Sequence, residues 1–426
     1  MGIFETIRSQ PGRKSNGLPI TVERRSESRE PMLRTSTTGL TSHLWELELV
    51  PAFGLIRLCD DIDRLSRRAL DQNVFFDSSV LRSAWPRLTS LLAPRGAWML
   101  CLWESAGDGR HLRLFMPVRI HKVGFPAHKV LQPLSNEYMP LGTPLIDRDC
   151  AEESAETLLR LLSDPVLKLP SIVDFTHQRE DSATYAALQN ATRNLGLASH
   201  RNMAHQRAAL LPDPESSTDP KPTLSKKRLR ELARQLRKLE KSGPVNFHCA
   251  RSKDKIVDAI EAFMILELSG WKGRKGTALY NHKKIAAFSR QIVYELAAKN
   301  HCEIFSLHQN EKPIASLIML GRDGYLVPWK MAFDENLSAY SPGMQVMVNA
   351  TNILKERGNF VEADSLAVAN HTMMNRVWPD RVPIADLTIA LNPDGGEILK
   401  NVVKAKERLL KMRNFARTAL RKKLHA

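Results

Sequence analysis

Between residues 243 and 395 the apolar pattern changes period in an order that restricts the fold more than any other feature of the chain. Ile256, Val257, Ile260, Phe263, Met264 and Leu268 fall on one face of a helix, and a second helical stretch covers about 283–299. Three β-rich runs follow at 303–307, 313–320 and 325–333, separated by turn signals at 309–312 and 321–324. A helix over 344–357 stops at Gly358. A strand at 360–366, a short helix near 373–377 and a strand at 384–391 complete the series. The short turns make the three runs an antiparallel meander. The helical crossover then places 360–366 parallel to 325–333. The expected class is α/β (α+β), a mixed sheet flanked by helices.

The segment 41–215 reads as a second mixed unit. Two β-rich runs, 97–104 and 111–122, flank the hairpin signal Ala106-Gly107-Asp108-Gly109. Helices are expected over 151–163 and 181–195, the latter stopped by Gly196, with a short buried strand at 171–175 between them. Residues 1–40 are polar and aperiodic and are expected to be largely disordered, or at least outside any core. Residues 216–242 join the units: a stretch with four prolines between 211 and 223 leads into a helix carrying Leu229, Leu232, Leu236 and Leu239 amid dense Lys and Arg. Residues 396–426 form a last helix, with ten basic residues against Glu407 between 400 and 423.

A chain of 426 residues fits two or three domains. No apolar run reaches the ~18 residues of a transmembrane helix, and the start lacks the apolar core of a signal peptide. The five widely spaced cysteines include no CxxC pair, which argues for reduced thiols and against a cysteine zinc site. The expected location is cytoplasmic, with peripheral contact at the inner membrane open. The net charge of +16 calls for an anionic partner: a phosphate-bearing coenzyme, an acidic carrier protein, an anionic membrane surface or nucleic acid. Few aromatics interleave with the basic helices, which argues against base stacking on single strands and against sequence-specific nucleic-acid binding. Basic amphipathic helices suit anionic membrane surfaces.

Local sequence adds a resemblance. Asn73-Val74-Phe75-Phe76-Asp77, the stretch Leu141-Gly142-Thr143-Pro144-Leu145-Ile146-Asp147-Arg148-Asp149, the basic start Leu224-Ser225-Lys226-Lys227-Arg228, the loop Ser269-Gly270-Trp271-Lys272-Gly273-Arg274-Lys275-Gly276-Thr277-Ala278-Leu279, the run Trp329-Lys330-Met331-Ala332-Phe333-Asp334-Glu335, the turn Tyr340-Ser341-Pro342-Gly343, Asp364-Ser365 and Asn370-His371-Thr372-Met373-Met374 occur in that order. Together, over about 55–392, they resemble the CelD/BcsL-like (BioF2-like acetyltransferase) branch of the GNAT superfamily. The resemblance implies two tandem GNAT-like domains, as in the FemABX aminoacyltransferases: a degenerate copy at 41–215 and an acyltransferase at 243–395. It implies transfer from acyl-CoA or an acyl carrier protein to an amine or hydroxyl of a lipid or saccharide, with cell-envelope or exopolysaccharide synthesis as the setting. Aminoacyl transfer from tRNA and a non-catalytic role in polysaccharide assembly stay open as alternatives.

The residues supply the parts such chemistry needs. A helix N-terminus grips phosphate through free N–H groups, and Ser341, Pro342, Gly343, Met344 and Gln345 open a helix directly after the strand ending at Phe333. This start departs from the Gly-rich phosphate loop usual in GNAT proteins, with one glycine and no basic residue inside it. By resemblance, a bulge in the strand 325–333, nearest Lys330 to Phe333, supplies a backbone N–H to the thioester carbonyl. Lys330 is a cation in an apolar strand, placed either to orient an anionic acceptor or to snorkel from a solvated face. No Tyr follows Tyr340, so His371, which titrates near neutrality, is the candidate acid or base. Asp364 is its candidate support, with Asp334 and Glu335 as further base candidates. Trp271 and Lys272 open a basic, Gly-containing loop suited to substrate contact. Tyr138 is the candidate cleft residue of the first half. No metal site is expected.

Overall fold

The meander read between 303 and 333 forms as expected, and the strand beyond the next helix returns parallel to it. The structure is a computed structural model that describes residues 20–25, 32–38, 43–85, 87, 97–107, 109–212, 224–393 and 395–425. Its strands are β1 (Ile20–Arg25), β2 (Met32–Thr38), β3 (Leu44–Pro51), β4 (Ala97–Ala106), β5 (Gly109–Val123), β6 (His128–Pro133), β7 (Leu145–Ile146), β8 (Ile172–Arg179), β9 (Ser199–Leu210), β10 (Val245–Ala250), β11 (Cys302–Gln309), β12 (Lys312–Arg322), β13 (Tyr325–Phe333), β14 (Glu362–Asp364) and β15 (Asp380–Ala390). Its helices are α1 (Cys59–Arg68), α2 (Ser78–Ala84), α3 (Ala151–Leu162), α4 (Ala183–Asn194), α5 (Lys226–Glu240), α6 (Lys253–Ser269), α7 (Trp271–Arg274), α8 (Lys283–Ala298), α9 (Pro342–Arg357), α10 (Met374–Val377) and α11 (Gly395–His425).

The chain divides into two compact units. The first comprises Met1–Ser78, Leu91–His205 and Pro383–Ala426, and the second Ser79–Ser90 and Gln206–Val382.

In the second unit β10, β11, β12 and β13 pair antiparallel in sequence order. β13 and β14 then run parallel, but only through Tyr325↔Glu362 and Leu326↔Ala363. The far edge of β14 is closed antiparallel by the end of β9, at Ala363↔Leu210 and Asp364↔Ala209. Phe305, Leu307, Ala315, Leu317 and Met319 point to one face and share a core with Met344, Val346 and Met347 of α9. The alternating partners Ile304, Ser306, Ser316 and Ile318 therefore face the other way, and α6 and α8 also pack on these strands.

The first unit repeats the plan. β1 to β6 form an antiparallel series. β6 and β8 are parallel at Leu131↔Val173, and β15 closes β8 antiparallel. Both units thus hold mixed pairing, and in each a strand from a remote part of the chain joins the series. α11 belongs to this unit: Leu399, Val402 and Val403 pack with Val130, Ile172 and Ala390.

Several elements escaped the sequence reading. β1 and β2 lie inside the stretch expected to lack structure; the Thr-rich run Met32–Thr38 suits a strand, and Thr35 and Thr37 are buried. β3, β6, β9 and β10 were also unread. Residues 1–19, most of the proline-rich connection (213–223) and Asp108 of the hairpin lie outside the described residues. No described helix is long and apolar enough to cross a membrane.

Candidate functional site

The parallel ladder between β13 and β14 stops after two pairs while β13 runs on to Phe333. Pro328 stands just past the last pair and has no N–H to extend a ladder. The next residue is the irregular one. Ile318 pairs with Lys330 but Met319 with Pro328, so Trp329 is the extra residue of a bulge. Its ring is buried and meets Phe288 of α8 edge-on at 6.4 Å. Lys330 follows, with Nζ 5.8 Å from the Trp329 ring centre. The bulge therefore sits at Trp329, one residue before the stretch expected from resemblance.

The strand leads through a 3₁₀ turn, Glu335–Tyr340, into α9. Ser341 adopts a left-handed conformation (φ 52°), and its carbonyl accepts from the N–H of both Met344 (2.9 Å) and Gln345 (3.0 Å). Pro342 has no N–H, so among the described hydrogen bonds Gly343 holds the first-turn N–H without an acceptor. Gly343 lies close under Phe333: a Cβ there would stand 3.1 Å from the ring, tighter than an ordinary contact. Gln345 turns inward instead, its Nε2 donating to the Leu232 carbonyl of α5 at 2.8 Å. The Met344 side chain lies in the core with the neighbouring α9 residues. The basic helix α5 also packs on the 3₁₀ turn at 335–340, with Lys226, Lys227, Arg230, Arg234, Arg237 and Lys238 exposed.

The loop around Trp271 is tied to the same strand. Lys272 Nζ donates to Glu267 Oε1 (2.6 Å) and to the Met331 carbonyl (3.3 Å), two residues past the bulge. Glu267 is only 4% exposed, and its other oxygen accepts from the Leu279 N–H at 2.8 Å. Glu335 accepts from the Trp271 N–H (2.6 Å) and from Arg274; these contacts, Arg274 first, hold its carboxyl below the usual range. Trp271 itself is exposed, under Lys275 at 5.2 Å. Gly273 makes this loop possible, because a Cβ there would lie 1.7 Å from the Leu268 carbonyl oxygen. Gly273→Ala is expected to destabilise the second unit by about 3 kcal/mol and to release Lys272 from Met331, measured by denaturant unfolding; a variant as stable as the parent would show that the loop can shift freely.

The pairing expected between Asp364 and His371 is not made. Asp364 holds the buried Arg207 of β9 and accepts from the Leu366 N–H at 2.9 Å. His371 Nδ1 accepts from the Met374 N–H at 3.2 Å, so it caps α10. A nitrogen that accepts from N–H carries no proton, so the neutral His371 ring bears its proton on Nε2. Leu366 (φ 51°) and Asn370 (φ 59°) bracket this loop in the left-handed region, an uncommon setting for leucine. Asp334 accepts from the Asn336 N–H at 2.9 Å, the role of a turn residue. Tyr138 lies in the first unit, on a loop where Asn136 accepts its N–H at 2.8 Å.

A polar cluster on the second unit's sheet went unread. Ser316 pairs with Ala332, Ser306 with Ser316 and His248 with Ser306, so they form one row across β13, β12, β11 and β10. The His248 and His308 rings are 4.4 Å apart between centres, and Ser306 Oγ lies 3.0 Å from His308 Nε2. The Ser316 hydroxyl is buried with no partner. These side chains line a cavity of about 310 Å³ that Ala259 and Ala262 of α6 leave open. Burial, then the neighbouring His248, push His308 below its ordinary pKa. The two-residue alternation of Ser306 and His308 was visible in sequence, but the row depends on strand register.

Residues 226–370, the core of the second unit, match the family model described as an acetyltransferase (GNAT) domain. No curated protein matches the chain. Among solved structures, FemX is similar at 10% identity and a TM-score of 0.49, covering 80% of this chain and 98% of that one. The C-terminal domain of a proposed lysylphosphatidylglycerol synthetase from Agrobacterium fabrum is similar at 12% identity and 0.48, covering 80% and 95%. A tandem GNAT protein from the clavulanic acid biosynthesis pathway is similar at 9% identity and 0.36, covering 82% and 99%.

Proposed function

We propose that the second unit moves an acyl group from a thioester to an amine or hydroxyl of a saccharide or lipid, in cell-envelope or exopolysaccharide synthesis, as the resemblance to the CelD/BcsL-like branch implies. One observation carries the reading: the bulge at Trp329 stands just past the last β13–β14 pair, on the strand whose end leads through one 3₁₀ turn into α9. A bulge turns backbone N–H groups off the ladder, and a thioester carbonyl lying there would meet a donor as its oxygen gains charge. The acyl-CoA phosphates would approach Ser341 to Gln345, where the Gly343 N–H is the donor left over. One donor is a thin grip for a pyrophosphate, and the exposed cations of α5 beside this start supply the missing charge. The same basic face fits an acidic acyl carrier protein.

The cavity at His248, Ser306, His308 and Ser316 is the acceptor pocket in this reading. Its row ends beside Ala332, two residues after Lys330 on the same strand face, and its unpaired hydroxyl and neutral imidazole suit a hydroxyl- or amine-bearing acceptor. Trp271, Lys272 and Glu335 hold the strand end and the loop together.

Thermal stability with acyl-CoAs of increasing chain length, repeated with acyl carrier protein, tests this. A thioester present at 100 times its Kd and binding the folded state alone should stabilise by about 2.7 kcal/mol. Stabilisation by no thioester would sink the reading, leaving aminoacyl-tRNA as donor or a non-catalytic role in polysaccharide assembly.

A further inference from the structure

Helix α11 outruns the body of the first unit. As far as Val403 its apolar side is covered by Val130, Ile172 and Ala390, and Lys406 is drawn onto Asp174 and Asp386. The cover then ends while the apolar side chains continue: Leu409 is 56% exposed, Met412 68% and Phe415 78%. The tip of the β5–β6 hairpin sits against α11 where Gly124 meets Ala405, and it presents a fully exposed Phe125. Lys122, Lys404 and Arg408 are exposed around the same ridge. With Phe125, Leu409 and Met412 they form the wall of a cavity of about 670 Å³, whose only carboxylates are the floor pair Asp174 and Asp386. Single exposed apolar residues are ordinary, but four large ones on one ridge beside three cations are not.

We propose that this ridge docks the first unit on a bilayer surface containing anionic phospholipid. Phe125, Leu409, Met412 and Phe415 enter the boundary of the acyl region, and Lys122, Lys404 and Arg408 meet the phosphates. The comparison with α5 favours α11 as the membrane element. α5 is as basic, but Leu232 and Leu239 of its apolar edge are buried in the second unit's core, which leaves a solvated charged face. The proposal does not rest on acyl transfer, and activity is not its readout.

The test is sedimentation of the full chain with vesicles of equal phosphatidylglycerol and phosphatidylcholine, against vesicles of phosphatidylcholine alone. Binding is expected to the anionic vesicles and to weaken as salt is raised. Phe125→Ser with Met412→Ser should lower the partition about tenfold or more at an unchanged thermal midpoint, since both side chains are exposed. Lys404→Glu with Arg408→Glu should lower it on the order of tenfold or more and flatten its salt dependence. Absence of binding to anionic vesicles, equal binding to both kinds, or unaltered binding by both variants overturns the proposal. So does a concentration-dependent mass in sedimentation velocity that Phe125→Ser with Met412→Ser abolishes, which would make the ridge a self-association surface.

Discussion

Lys406→Met is expected to destabilise the first unit by about 3–5 kcal/mol, the cost of leaving buried charge without its partner. Lys406 Nζ lies 2.8 and 3.0 Å from the Asp174 oxygens and 2.6 Å from Asp386 Oδ2, and its side chain is 11% exposed. Asp174 and Asp386 are themselves buried and otherwise satisfied, by Gln132 and Thr388 in one case and by the His177 N–H in the other. Removing the ammonium leaves two carboxylates facing each other with no cation. Denaturant unfolding should show a lower midpoint at unchanged slope. Adding Asp174→Asn and Asp386→Asn should recover most of the loss. The lysine's own titration gives an independent check. Burial alone pulls Lys406 down, the two carboxylates outweigh burial, and the net shift is upward from 10.5. A raised folded-state value means the contribution is complete below pH 10.5 and fades as pH rises through the higher folded value. The parent should therefore lose stability in that alkaline window and Lys406→Met should lose less. A penalty under about 1 kcal/mol would mean the triad is solvated like a surface pair.

That triad also marks where sequence reading ends. Asp174 and Lys406 are 232 residues apart, and nothing local in either segment signals the other. The elements read well were those whose period speaks for itself. β13 coincides with the run read at 325–333, and α9 begins two residues early because Pro342 takes the first helical position. β10 was lost because only Val245, Phe247 and Cys249 alternate on a six-residue strand with little burial. The places of β9 and β15 are set by pairings between remote stretches, which no period predicts. At the site, Lys272 was singled out, but its partner Glu267 looks in sequence like an interruption in the apolar face of α6. The sequence offers His371 as an acid or base with Asp364 as its support. The structure gives its Nδ1 to a cap and gives Asp364 to Arg207.

The roles of the two histidines in the proposed reaction follow from those hydrogen bonds and predict separable kinetics. Neutral His371 presents an N–H at Nε2, because Nδ1 is held by the Met374 N–H, so it suits stabilising a leaving thiolate by a hydrogen bond while keeping its proton. His308 shares its Nε2 contact with the Ser306 hydroxyl and lies in the cavity, so it suits proton removal from the acceptor. His308→Gln should lower kcat/KM by about 10²–10⁴ and remove the acid limb of its pH profile. In the parent that limb should lie below pH 6.5, because burial, then His248, depress the imidazole and keep it neutral further into acid. His371→Asn keeps a capping side chain at the start of α10 but loses the Nε2 N–H donor. It should cost a similar factor with ordinary thioesters and far less with an activated thioester whose thiol is already acidic. An acid limb that survives His308→Gln and vanishes in His371→Asn would reverse the two roles. Unchanged rates in both variants would leave deprotonation to solvent and reduce the pair to a lining of the cavity.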